Sequence, residues 1–353
     1  MSKVQHVLLK NRGLLVVSGK DSLSFLQGLI TNDISKATET TTIYGALLTP
    51  QGKYLHDFFI SKRKKSFYIE VAKDRIEDLA VRLNRYKLRA DVEIKDISEQ
   101  LGIVALIGED AFQVADLLCQ VGASKDWLSG WAYVDPRCLA MGVRAILPHQ
   151  ELEAMALESE SHSVDSLSAD SLSTDSLSTD SLPTDSLPTD SLSKDAPDHD
   201  LPKHVSPPSV LEALYERHRL IQGMPEGGRD MIPEKSIPLE CGLEDLQAID
   251  WQKGCYMGQE LTARTRYRGL VRKRLIPVAI EGPAPAPGTE IFIEGTKKAG
   301  KMASSFEQRG MALLRIEFLQ EALKRSLTCG EARLMPSIPS WMHLENPEQA
   351  ESH

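Results

Sequence analysis

Residues Val164 to Ser193 repeat one pentad six times, VDSLS-ADSLS-TDSLS-TDSLP-TDSLP-TDSLS, and no other feature limits the folding of this chain so sharply. One leucine in five fits neither the 3.6-residue period of a helix nor the 2-residue period of a strand. The Ser, Thr, Asp and Pro between the leucines bury too little to offset the entropy of ordering. Stacking into a solenoid is the alternative, but a five-residue period without glycine or aromatic residues supports no stacked architecture. The repeat is therefore expected to be disordered. Residues 151–206 around it hold thirteen Asp and Glu against two Lys, a net of −11 in a chain whose total is −9, which leaves +2 on the remainder. A fold must be assembled from residues 1–150 and 207–353, and the chain's acidity belongs to the insert.

The remainder has the composition of a folded, multi-part protein. Of 353 residues 41% are hydrophobic, and single cores seldom grow past roughly 250–300 residues, so two or three domains are expected. No apolar run approaches the roughly 20 residues that cross a bilayer. The opening MSKVQHVLLKNRG has neither a signal-peptide apolar stretch nor the arginine-rich character of a transit peptide. A cytoplasmic monomer without membrane contact is the expectation. The five cysteines, Cys119, Cys138, Cys241, Cys255 and Cys329, are odd in number and form no C-x-x-C pair, which predicts neither a disulfide framework nor a resident metal site.

Leu14 to Gly19 reads as a strand and Asp21 as the N-cap of a helix through Leu29. Ala46 to Leu48 and Asp57 to Ser61 read as strands paired around a Pro50–Gly52 turn. Phe67 to Val71 predicts a further strand, and Ile76, Leu79 and Leu83 set helical spacing over Arg75 to Leu88. Gly102 to Ile107 and Asp110 to Leu118 repeat the strand–helix order, and a helix over Ser209 to Ile221 resumes that half after the insert. From Val271 the pattern changes to short strands with Gly and Pro turns, at Leu275 to Ile280, Glu290 to Ile293, Gly300 to Ser305 and Met311 to Ile316, the pattern of a small β-barrel. The boundaries expected are 1–95 for the first αβ half, 96–150 with 207–270 for the second, 151–206 for the insert, 271–345 for the barrel and 346–353 for a disordered tail.

The chemistry concentrates at Lys253-Gly254-Cys255-Tyr256-Met257-Gly258-Gln259-Glu260, ahead of a polar segment, Gly258 to Arg264, that reads as the first turns of a helix. Lysine charge and a helix N-terminus both favour a thiolate, the form that attacks, exchanges disulfides or binds metal. A small buried cysteine in a tight turn is the other reading. Tyr44, Tyr215 and Trp251 are candidate walls for a flat heterocycle or ordinary core. Arg264, Arg266, Arg268, Arg272, Lys273 and Arg274 form either a solvated face, with Glu260 pairing Arg264, or a polyanion patch. Only Tyr267 interrupts them, so direct nucleic-acid binding is not expected.

The octet resembles the K-G-C-Y-x-G-Q-E signature of the YgfZ family, folate-binding proteins similar to the glycine-cleavage T-protein that serve iron–sulfur cluster assembly. Phe25-Leu26-Gln27-Gly28, Thr31-Asn32-Asp33, Leu48-Thr49-Pro50-Gln51-Gly52-Lys53, Arg82 to Arg89, Asp135-Pro136-Arg137, Tyr215 with Arg219, Gly223-Met224-Pro225 and Pro238-Leu239-Glu240 follow in the family's order. The resemblance covers nearly the whole chain apart from the insert. It implies an α+β fold, a T-protein-like body of two similar antiparallel-sheet and helix halves around a central opening, with a small C-terminal β-barrel.

The resemblance further implies tetrahydrofolate, or another folate, as ligand. Asp57, five residues after Gly52, stands where the T-protein family places the aspartate that contacts folate, Glu240 resembles a carboxylate that takes the paired N–H donors of a pterin edge, and Tyr215 and Arg219 join them. Arg264, Arg266 and Arg268 would meet a polyglutamate tail. Cys255 becomes the reactive residue and a transient ligand of an iron–sulfur cluster, with assembly proteins or client enzymes as partners. The function implied is assembly or repair of [4Fe–4S] proteins. A folate-dependent aminomethyltransferase is the alternative, and an effect on tRNA modification through iron–sulfur enzymes is a further one. The acid of the T-protein's Arg-x-Glu-x-Gly segment is replaced by Ile221 in Arg219-Leu220-Ile221-Gln222-Gly223, and a transferase that orients folate with aspartate needs no cysteine. Both points favour assembly over transfer.

Overall fold

The computed structural model describes residues 4–155 and 209–343; the pentad repeat and the 346–353 tail lie outside them. Two five-stranded antiparallel sheets form the body. One runs β3 (Ile43–Leu48), β4 (Tyr54–Arg63), β5 (Ser66–Ala72), β2 (Arg12–Ser18), β6 (Glu93–Asp96); the other runs β1 (Gln5–Leu8), β7 (Leu101–Ile107), β10 (Val143–Pro148), β9 (Gly130–Val134), β8 (Ser124–Trp127). The first strand of the chain thus closes the edge of the second sheet, pairing Gln5 with Ile107 through Leu8 with Val104.

Strand composition explains the layering. In β7, Ile103, Ala105 and Ile107 point into the core between the sheets while Val104 and Leu106 point to the helix side; in β4, Phe59 joins the shared core while Phe58 and Ile60 face helices. Successive strand residues face opposite ways, so a continuous apolar run such as LGIVALI is stable only where both faces are covered. Helices α1 (Ser22–Gln27) and α2 (Ile76–Lys87) cover the first sheet, and α3 (Ala111–Val114) and α4 (149–155) cover the second.

Helix α5 (Val210–Ile221) restarts the chain with a capping box, in which Ser209 Oγ accepts the Glu212 N–H and the Glu212 carboxylate accepts the Ser209 N–H. After α6 (Gln259–Tyr267), the strands β11 (Lys273–Glu281), β12 (Glu290–Ile293), β13 (Lys297–Phe306), β14 (Arg309–Arg315), β15 (Leu327–Cys329) and β16 (Ala332–Pro336) close a barrel in the order β11-β14-β13-β12-β15-β16, with α7 (Leu319–Ala322) between β14 and β15.

Two local expectations are corrected. The helix expected over Asp110 to Leu118 stops at Val114, because Asp116 takes φ 50°, outside helical backbone. Asp21 is the N-cap of α1 but makes no capping bond; its carboxylate accepts the Asp91 N–H at 2.8 Å and ties the segment ahead of β6 to the helix.

Candidate functional site

Cys255 is exposed on an irregular segment between two anchors. The first anchor is Lys253. Its ammonium donates to the carbonyls of Gln27, Ile30 and Asn32 at 2.8, 2.6 and 2.8 Å, and lies 5.1 Å from the centre of the Tyr256 ring. These are carbonyls left free at the end of α1 and in the turn beyond it, where a cation is favoured. This corrects the expectation that Lys253 lends its charge to the thiol, since the ammonium is buried in the first half of the body. Burial lowers the Lys253 pKa to about 8, with Asp33 and Asp250 pulling it upward. Helix α6 begins where the sequence places it, with Gly258 as its N-cap, three residues past Cys255.

The second anchor is glycine-to-glycine. Gly258 has φ 84°, and a Cβ there would stand 2.5 Å from the Thr49 carbonyl oxygen; a Cβ on Gly52, with φ 70°, would meet the Gly258 oxygen at 3.2 Å and Thr262 Oγ1 at 3.1 Å. The β3–β4 turn and the start of α6 therefore pack backbone on backbone, which requires glycine on both sides. Met257 N–H donates to the Gly28 carbonyl, and Gln259 N–H, at the helix start, donates to Tyr256. Tyr256 is 6% exposed and its hydroxyl has no partner among the described residues. Gly254 and Glu260 are exposed, and nothing lies within 4 Å of a Cβ added at Gly254.

Asp57, Tyr215 and Arg219 come together. They line one cavity with Arg12, Arg137, Arg144 and Glu226, of only about 10 Å³, room for roughly one water. Asp57 accepts from the Tyr44 and Tyr54 hydroxyls at 2.9 and 2.7 Å; burial, and next the Asp57 charge, push both phenols well above their ordinary pKa and keep them as donors. The segment after α5 seals the carboxylate, since a Cβ on Gly227 would lie 2.2 Å from Asp57 Oδ1. Arg219 is 2% exposed and makes four side-chain bonds, two to Glu216, one to Asp230 and one to the Met224 carbonyl. Glu240 lines neither this cavity nor the larger cleft; burial raises its pKa, against Lys273 and Lys53. A pterin does not fit the Asp57 cavity as it stands.

The larger cleft, about 480 Å³, lies between the halves and is lined by Tyr44, Asn32, Lys36, Gly122, Pro136, Glu244, Asp250 and Trp251 among others. Arg266 stacks 4.6 Å from the Trp251 ring centre and pairs with Glu244. Arg274 is buried against Asp245 and the Leu239 carbonyl, so the run of six cations is not one surface. Arg264, Arg268 and Arg272 are exposed and form no ion pair among the described residues, and Glu260 does not pair with Arg264.

Sequence reasoning missed the ionic centre between the sheets. Glu70 accepts from Arg12 Nε at 3.0 Å and pairs with Arg144, which donates to the Tyr215 hydroxyl at 2.8 Å; Asp135 and Arg137 pair beside them. Burial alone would raise the Glu70 pKa, but Arg144 and Arg12 hold it at about 2. The signal was present, since Glu70 and Arg144 are lone charges within the apolar strands SFYIEVA and VRAILP.

Residues 5–133 match the GCVT N-terminal domain and residues 272–344 match the CAF17 C-terminal beta-barrel domain. The crystal structure of glycine cleavage system aminomethyltransferase T from Bartonella henselae is similar over 96% of this chain and 86% of that one, with TM-score 0.68 and 12% identity, a likeness of fold. Together these define the class, a T-protein-like αβ body carrying a CAF17-type barrel. Two relatives named "Iron-sulfur cluster assembly factor IBA57 homolog, mitochondrial" are similar throughout. That of Neosartorya fischeri is 29% identical over 392 positions, covering 98% of this chain and 77% of the relative, and that of Coccidioides immitis is 28% identical over 380, covering 94% and 75%. The chain belongs to the IBA57/CAF17 (YgfZ-like) family.

Proposed function

We propose that the protein is an accessory factor for assembly or repair of iron–sulfur proteins and acts by presenting Cys255 to a partner. One observation carries this reading: Cys255 is exposed on a segment pinned at Lys253 and Gly258, while among the described residues no group of three His, Cys, Asp or Glu could hold a metal ion. A single soft sulfur donor with no companion ligands among the described residues suits a cluster whose other ligands come from elsewhere. The cluster is then cargo passing through the site. Expression in cells lacking their own factor tests this. Recovery of [4Fe–4S] enzyme activity is expected, and no recovery at matched protein level contradicts it.

Folate binding rests on the fold alone, and nothing in the assembly reading passes through folate. Two phenols each occupy one Asp57 oxygen, Gly227 seals it and Arg219 is clasped by carboxylates, so the cavity supports no tetrahydrofolate binding in this conformation. Anaerobic titration is expected to show no binding that depends on Asp57; saturable micromolar binding that is lost in Asp57→Asn would show that the segment over Asp57 opens. The same closure, with Ile221 in place of an acid, weighs against aminomethyl transfer. Among the described residues no helix is long and apolar enough to cross a membrane. Cytoplasmic placement is part of this proposal; the relatives are named mitochondrial, and fractionation of the native cells decides it.

A further inference from the structure

Helix α6 begins three residues past Cys255, and its outer face is open apart from the Tyr267 ring, which meets Trp251 edge-on at 6.2 Å. On and just after α6, Leu261, Arg264, Tyr267, Arg268, Leu270 and Arg272 are exposed, Tyr267 by 72%. The opposite face is fixed, because Thr262 is buried against the β3–β4 turn and Arg266 is held by Glu244 and Trp251. The exposed side chains therefore project from a rigid base, which keeps the ordering cost of an encounter low. Apolar and aromatic positions interleaved with arginines also resemble an interface core, in which Tyr and Arg are enriched, and the exposed Glu260 and Lys273 stand at its two ends.

Resting on the assembly reading above, we infer that this face of α6 docks an acidic protein surface that carries a thiolate-ligated iron–sulfur cluster, and so sets that cluster against Cys255. The dimensions suit this. A helix rises 1.5 Å per residue, so Arg268 lies roughly 14 Å along the axis from Gln259, and one side of a standard interface, about 800 Å², is a disc roughly 32 Å across. The charge suits it as well. A cluster held by thiolates is a net anion, and Arg264, Arg268 and Arg272, on and just after the helix that follows Cys255, are exposed cations that form no ion pair among the described residues. This surface differs from the polyanion patch the sequence suggested, since Arg274 is buried in an ion pair and the half-exposed Arg266 is already neutralised by Glu244.

The test uses the full chain in cells lacking their own factor, with three controls on the purified protein: melting temperature, alkylation of Cys255 by neutral iodoacetamide, and RNA crosslinking. Arg264→Glu with Arg268→Glu is expected to lower recovery of [4Fe–4S] enzyme activity about tenfold or more, with melting temperature and alkylation unchanged, while Arg264→Lys with Arg268→Lys retains it. Full recovery with the reversed charges, in cells where Cys255→Ser fails, overturns the docking face and leaves the assembly reading standing. Failure of the unaltered chain removes the assembly reading and this inference with it. The inference also falls if RNA crosslinks to the unaltered chain and not to the reversed one, or if deleting residues 160–200 makes Arg264 and Arg268 dispensable, which would assign the face to the chain's own acidic insert.

Discussion

Within the octet, neighbouring residues do different work. Lys253 holds three backbone carbonyls more than 220 residues away in sequence, while Cys255, two residues on, faces solvent. Replacing Lys253 by methionine keeps the stem and leaves those carbonyls without their donor. A loss of about 3 kcal/mol is expected, in the range for removing a charged hydrogen-bond partner from a buried site, measured by urea unfolding. An unchanged midpoint would show that water replaces the ammonium. Asp57→Asn is also a stability change, since Asp57 takes two buried phenol hydrogens. The motif's existence was legible in the sequence, and its division of labour was not. Adjacency along the chain suggested that Lys253 serves the thiol, whereas its partners come from the end of α1, which only the tertiary fold brings within reach.

At the scale of elements, the hairpin turn and α6 are matched parts. Gly258→Ala puts a methyl 2.5 Å from the Thr49 oxygen at φ 84° and is expected to cost at least about 2 kcal/mol; a stable variant would mean that α6 shifts freely on the turn.

The β4–α2 contact carries a pH dependence. His56 on β4 is 1% exposed against Asp78 of α2, and burial, then Arg75, lower its pKa from 6.5 to about 4 despite the pull of Asp78. Between these values the unfolded chain binds a proton that folded His56 refuses, so stability is retained above pH 6.5 and lost as pH falls toward 4, by up to about 3 kcal/mol. His56→Gln is expected to flatten that part of the unfolding free energy between pH 4 and 6.5; an unaltered slope would show that His56 is not the group responsible. Strands with apolar runs were legible because both of their faces are covered. The short β15 and β16, and the early end of α3 at Val114, were not, because they depend on barrel closure and on the left-handed Asp116.

Over the whole molecule, the two halves are locked by exchange rather than by simple contact. β1 completes the second sheet, Lys253 of the second half caps the turn of the first, and Glu70 with Arg12 and Arg144 bridges the sheets. The two-half body and the barrel were legible from strand and helix order together with family resemblance. The filled centre was not, because whether a central opening is open or packed with arginines depends on side chains drawn from β2, β5, β10 and α5 at once. The insert leaves after α4 and the chain returns at α5, and its composition predicts that deleting residues 160–200 shifts the melting temperature by no more than about 2 °C. A larger fall would show that the repeat packs on the body.

The central claim, that a chain with a pinned, exposed cysteine and no metal-ligand cluster among its described residues works by offering that sulfur to a partner's cluster, is tested most directly by Cys255→Ser. The variant is expected to unfold at the same urea midpoint as the native chain, since Cys255 is exposed and serine keeps its shape, and yet to fail to restore [4Fe–4S] enzyme activity in cells lacking their own factor. Full restoration by the serine variant at equal protein level would contradict the account.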